Sequence, residues 1–139
     1  MTAFEIDFLD HVAIRVKDVK ASAEWYEKVL GLRPYQVPEW GVFPVFMLAN
    51  KTGIALFPAK TDDVKLDAAS KNVRIDHFAF HVSPKNFEKA KKRYEALGIS
   101  YEFQDHVHFH SIYARDPDGH VVELTTLVGD EGSFYGKLR

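Results

Sequence analysis

Asp10-His11-Val12-Ala13-Ile14-Arg15-Val16 and Asp76-His77-Phe78-Ala79-Phe80-His81-Val82 are two versions of one heptad, 66 residues apart, with Asp, His, Ala and Val at matching places. The similarity continues past each heptad. A helical pattern runs from about Ala21 to Leu30 in the first case and from about Lys85 to Leu97 in the second. Each helix ends in an apolar-Gly-apolar triplet, Leu30-Gly31-Leu32 and Leu97-Gly98-Ile99, with Gly where a left-handed C-cap is expected. Strand-like stretches broken by turns come next, at Asn50-Lys51-Thr52-Gly53 and at Asp116-Pro117-Asp118-Gly119. The chain therefore reads as a duplicated strand-helix-three-strand unit, one copy over about 5–60 and the other over about 72–128. The boundary falls between Ala59 and Asn72, and a short tail covers 129–139. One such unit leaves a sheet face bare, so two should combine into a single α+β domain, a cup-shaped mixed sheet of eight strands.

The duplication gives the histidines a chemical meaning. With His11 inward, alternation puts Ala13 and Arg15 on its face; with His77 inward, Ala79 and His81 share that face. A small residue beside each imidazole leaves room in front of it. The strand after the second turn, His120-Val121-Val122-Glu123-Leu124-Thr125-Thr126, carries one acid among apolar residues, and an unpaired carboxylate there is costly. A lone strand histidine is ordinarily a hydrogen-bonded core residue, and a lone acid ordinarily pairs with a cation or faces water. Two histidines at equivalent positions of a repeat, with a carboxylate on a neighbouring strand, point instead to one divalent cation held by His11, His77 and Glu123. Such a set leaves coordination positions open for substrate; it suits Fe(II) or Mn(II), with Zn(II) also compatible.

The bulk properties agree with small-molecule chemistry. The 139-residue chain is 46% apolar and 14% aromatic, enough for an ordinary packed core. A net charge of -2 gives no electrostatic case for nucleic acid or an anionic membrane. The absence of cysteine excludes disulfides, thiolate metal sites and a cysteine nucleophile. The acidic opening MTAFEIDFLD is unlike a signal peptide and no apolar run reaches the ~20 residues of a membrane span, so a cytoplasmic location is expected.

Taken together, these stretches resemble the vicinal oxygen chelate superfamily, which includes glyoxalase I, bleomycin-resistance proteins, fosfomycin-modifying enzymes and extradiol dioxygenases. The resemblance rests on Asp10 to Ile14, Trp25 to Leu32, Asp76 to Phe80 and Ser111 to Leu124, and covers nearly the whole chain. It implies paired strand-helix-three-strand modules, a divalent metal, a small-molecule substrate and often a homodimer. Four-ligand members such as glyoxalase I take an extra Glu or Gln from the first repeat. Counting 66 back from Glu123 reaches Phe57, which cannot ligate, and this speaks against a glyoxalase-type lyase. Extradiol and fosfomycin enzymes resemble three-ligand members. His106, Ile112-Tyr113, Asp116-Pro117-Asp118-Gly119 and Glu123 follow the extradiol order, although Gln104 departs from it. By that resemblance Tyr113 hydrogen-bonds a substrate oxygen, and His106 either supports the residues that touch substrate or serves in acid-base chemistry. An extradiol-like oxidoreductase is thus the leading expectation. A fosfomycin-like epoxide-opening transferase or hydrolase is the alternative, and a non-catalytic drug- or ligand-binding cup stands behind both.

Other candidates are weighed the same way. His106, His108 and His110 alternate, so on one regular strand they share a face and form a rival metal tract, opposed to Tyr113 unless a turn intervenes. His81 lies too far along its strand from His77 to ligate the same ion, and His120 reads as structural. Arg15 and Arg115 are candidate anion contacts, with a solvent-facing role the commoner one. Trp40, Phe43 and Phe46 could wall the cup, though such aromatics usually belong to a core. Gly129 to Ser133 reads as a flexible link to the tail.

Overall fold

The first heptad alternates as expected. His11–Val16 forms β1, with Ile14 and Val16 buried while His11, Ala13 and Arg15 face outward. This computed structural model describes residues 4–136 and divides the chain into two compact units, Met1–Lys65 and Leu66–Arg139. The division falls inside the boundary expected from the repeat.

In the first unit, α1 (Val19–Leu30) follows β1. The Asp18 side chain accepts a hydrogen bond from the Ala21 amide at 3.0 Å, which supplies the N-cap. Gly31, at φ 68°, ends the helix in the left-handed conformation that favours glycine. Strands β2 (Arg33–Gln36), β3 (Val45–Ala49) and β4 (Thr52–Pro58) complete the unit, with a 3₁₀ turn at Pro38–Trp40. The sheet order is β1-β4-β3-β2, β1 parallel to β4 and the rest antiparallel. Ser22, Tyr26 and Val29 form the buried stripe of α1, and Val16, Met47, Ile54 and Leu56 are buried on the sheet.

The second unit repeats the plan: β5 (Phe78–His81), α2 (Pro84–Leu97), β6 (Glu102–Asp105), β7 (Phe109–Arg115) and β8 (Val121–Leu127), ordered β5-β8-β7-β6. Ser83 caps α2 through the Asn86 amide, and Gly98 ends it at φ 69°. Phe87 and Tyr94 on α2 are buried, as are Ile112, Ala114, Val122 and Leu124 on the strands. The described residues therefore form eight strands, hydrogen-bonded as two sheets of four, one per repeat.

Two local expectations are corrected. His106, His108 and His110 do not occupy one strand: β6 ends at Asp105, residues 106–108 turn, and β7 starts at Phe109. The segment after Gly129 is also no flexible link. Asp130 caps a short helix, α3 (Glu131–Tyr135), whose Phe134 ring packs edge-on against Phe109 at 4.9 Å. Among the described residues no helix is long and apolar enough to cross a membrane.

Candidate metal and substrate site

Register brings the second unit's candidates together. On β8, Val122 and Leu124 are buried among apolar side chains, so Glu123 projects from the opposite face. It is opposed by Ala79 on β5 and by Tyr113 on β7. Asp116 prepares this strand: its buried carboxylate accepts from the amides of Asp118 at 2.9 Å and His120 at 2.8 Å. That closes the turn, with Gly119 at φ 87°, and sets the β7–β8 pairing that carries Tyr113 and Glu123.

The side chains on this face form a chain of contacts. Asp76 Oδ2 lies 2.7 Å from His77 Nδ1, and His77 Nε2 lies 2.9 Å from Glu123 Oε1. Tyr113 is the register partner of Glu123 across β7 and β8, and its hydroxyl lies 2.9 Å from His106 Nε2. The His77 and Tyr113 rings meet edge-on, 5.7 Å apart. Burial first, and then the Glu123 carboxylate, push the Tyr113 phenol above its ordinary value of 10.0, so it remains a proton donor. Asp76 moves the other way: the hydrogen bond with His77 and the nearby Lys71 ammonium hold its carboxyl below the usual range.

The 106–108 turn explains why His106 alone joins Tyr113. Val107 adopts φ 70°, unusual for a β-branched residue, and its amide is held by Asp105 at 2.9 Å. The three rings consequently find different neighbours. His106 meets Tyr113, His108 lies 5.5 Å from Phe134, and His110 sits 3.7 Å from Asp105 and 5.3 Å from the Phe103 ring. The rival metal tract is not assembled.

The first unit contains the apolar counterpart of this arrangement. Asp10 Oδ1 lies 2.8 Å from His11 Nδ1, repeating the Asp76–His77 pair. Ala13 pairs with Ala55 as Ala79 pairs with Glu123, and Ala55 pairs with Phe46 as Glu123 pairs with Tyr113. Register thus makes Ala55, not Phe57, the counterpart of Glu123; the offset there is 68 residues because the loops of the two repeats differ in length. Alanine cannot ligate either, so the first repeat still offers no fourth ligand at that position. Phe46 takes the place of Tyr113 and meets His11 edge-on at 5.3 Å. The remaining candidates are structurally engaged: Arg15 donates to the Pro58 carbonyl at 3.0 Å, and Arg115 to the Gly119 carbonyl at 2.9 Å.

His77 and Glu123 are donor types that a divalent cation takes, and His77 Nε2 lies 2.9 Å from Glu123 Oε1. A carboxylate on Nδ1 of both His11 and His77 leaves Nε2 as the nitrogen that would coordinate a metal. Asp10 and Asp76 were visible in the sequence as matched letters of the repeat, but nothing in their spacing announced that role. No group of three His, Asp or Glu side chains among the described residues is already drawn together as a coordination cluster. His77, Glu123, Tyr113 and His106 are assembled within the second unit, and His11 belongs to the first.

Comparisons with known proteins identify the family. The family model described as the Glyoxalase/Bleomycin resistance protein/Dioxygenase superfamily matches residues 8–124. A glutathione transferase, FosA, from Serratia marcescens is 26% identical over 116 residues, 84% of this chain and 78% of that protein. Glyoxylase I 4 from Arabidopsis thaliana is 26% identical over 121 residues, 84% of this chain and 68% of that one. Among solved structures, a glyoxalase/dioxygenase from Nostoc punctiforme superimposes with a TM-score of 0.77 at 20% identity, covering 93% of this chain and 97% of its own. The fosfomycin resistance protein FosX from Mesorhizobium loti gives 0.65 at 25%, covering 93% and 98%.

Proposed function

Because the chain belongs to the glyoxalase/bleomycin resistance protein/dioxygenase superfamily, we propose that it is a metal-dependent enzyme acting on a small molecule with two neighbouring oxygens. His11, His77 and Glu123 are its metal ligands. Fe(II) or Mn(II) is the favoured ion, and when bound it supplies a Lewis acid for vicinal oxygens together with redox access to dioxygen. The reaction we favour is extradiol-like oxidation of a catechol-like substrate.

The observation that carries this reading is the Tyr113–His106 contact beside Glu123. Tyr113 keeps its proton and so can donate a hydrogen bond to a substrate oxygen, orienting it. His106, in contact with the same hydroxyl, is an imidazole suited to take up or return a proton near neutral pH. Asp76 and Asp10 hold the two ligand imidazoles in one tautomer and one orientation.

A second reading has its own support. The FosA relative and the shared three-ligand plan favour epoxide opening without redox change, with Tyr113 donating to the developing alkoxide. Oxygen uptake separates the two. Protein loaded with Fe(II) or Mn(II) should consume dioxygen in proportion to an added catechol, and Tyr113→Phe should slow it about 10²–10⁴-fold, the range of a lost acid-base contact. Fosfomycin consumption with no oxygen uptake on any catechol would instead favour the second reading. A glyoxalase-type mechanism is disfavoured by Ala55 at the fourth-ligand position.

A further inference from the structure

The turn between β6 and β7, which presents His106 to Tyr113, is held in a conformation that its own residues disfavour. The His108 amide donates to the His106 carbonyl at 2.7 Å, closing a γ-turn whose central residue, Val107, has φ 70°. A γ-turn of that hand is rare and strained, and a β-branched side chain adds to the cost. Val107 is 76% exposed, so burial of its side chain does not offset the strain. Strained backbone persists only where its surroundings over-determine it. Some of the restraint is local to the strands. The Asp105 carboxylate holds the Val107 amide, the His106 amide donates to the Phe109 carbonyl at 2.8 Å, and the Val128 amide donates to the His108 carbonyl at 2.8 Å.

Helix α3 restrains the side chains on either side of that junction. Phe109, Ser111 and Tyr113 alternate onto one face of β7, and Phe109 pairs across the sheet with Leu127. The Phe134 ring lies edge-on to Phe109 at 4.9 Å and tilts against His108 at 5.5 Å. One side chain thus touches the last residue of the turn and the first of β7. Tyr135 adds contacts to Phe109 at 6.4 Å and to Phe134 at 5.0 Å. The start of α3 is fixed by Asp130, whose carboxylate accepts from the Ser133 amide at 3.2 Å and whose carbonyl accepts from the Ser133 hydroxyl at 2.7 Å. Five residues do not hold a helix by themselves, so α3 is ordered by the same contacts that it gives to the turn. On the other side of Val107, His106 Nε2 reaches the Tyr113 hydroxyl.

We infer that Phe134 is a positioning residue: by clamping His108 and Phe109 it keeps the Val107 γ-turn closed and so holds His106 on Tyr113. This rests on the role given to His106 above and extends that site to the C-terminal helix. Every residue involved belongs to the second unit. The clamp does not require metal, which makes it separable from the metal site.

The test is nuclear magnetic resonance of the full chain with labelled His and Tyr, free of paramagnetic metal. It compares wild type, Phe134→Ala, and Phe134→Ala combined with Val107→Asn. Wild type should give a cross-peak between the His106 and Tyr113 rings. Phe134→Ala should abolish that cross-peak and speed hydrogen exchange of the Val128 amide about tenfold, with the His77 ring signals unmoved. Asparagine tolerates the left-handed conformation, so adding Val107→Asn should restore the cross-peak. A cross-peak of wild-type strength in Phe134→Ala overturns the inference. A loss that Val107→Asn does not reverse also overturns it, because Phe134 would then be general packing. Should Phe134→Ala fail to fold, Phe134→Leu, which keeps apolar bulk without the ring, is read by the same criteria. Failure of the metal-dependent reading would show differently, as a cross-peak that depends on Phe134 in a protein that takes up no metal.

Discussion

At the scale of single residues, the site depends on carboxylates placed behind imidazoles. Asp76 and His77 are neighbours in sequence and lie 2.7 Å apart through Oδ2 and Nδ1, so the chain builds the pair almost without tertiary help. Asp76→Asn keeps the shape but loses the anionic acceptor. It should weaken Mn(II) binding about 10–100-fold in an indicator-competition titration while leaving the circular dichroism spectrum unchanged. An unchanged affinity would make Asp76 a bystander. His11, His77 and Glu123 stand out as candidates in the sequence because a repeat and an isolated acid mark them, and Tyr113 because of the resemblance. The partner of His106 was less so, since seven residues separate it from Tyr113 and only the left-handed Val107 in the intervening turn brings the two to 2.9 Å. Alternating histidines imitate a strand, and nothing in their spacing reveals that turn.

At the scale of elements, caps and turns were the most legible features. Gly31 and Gly98 end the two helices as the sequence suggests, and Asp18 and Ser83 begin them. The register of the sheets was not legible, because loop lengths differ between the repeats and a fixed offset of 66 misses the counterpart of Glu123 by two residues. Helix α2 also contains a defect that can be tested. Tyr94 is fully buried, and its hydroxyl has no hydrogen-bond partner among the described residues. Burial pushes its pKa well above the ordinary 10.0, so at high pH the unfolded chain gives up this proton first. The stability linked to Tyr94 is therefore intact below pH 10.0 and declines as pH rises from there toward the folded value. Tyr94→Phe should raise stability by about 1 kcal/mol at neutral pH and flatten the alkaline decline in urea melts. A loss of more than about 1 kcal/mol would mean that the hydroxyl is satisfied after all.

At the scale of the whole molecule, the chain reads as a duplication whose halves have diverged in chemistry while keeping their topology. Both carry strand, helix, three strands and an Asp-His pair, but where the second has Glu123 and Tyr113 the first has Ala55 and Phe46. A ligand that binds only the folded protein stabilises it by mass action. Mn(II) at a hundred times its dissociation constant should add about 2.7 kcal/mol to unfolding, chelator should reverse the gain, and His77→Ala should not show it. Metal dependence itself is decided by the metal content of tag-free protein purified without chelators, set beside His77→Ala and Glu123→Gln. Close to one iron or manganese per wild-type chain, and little in either variant, is the expected result. Wild-type protein that holds no metal, and takes up none when offered Fe(II), Mn(II) or Zn(II), would contradict a metal-dependent enzyme.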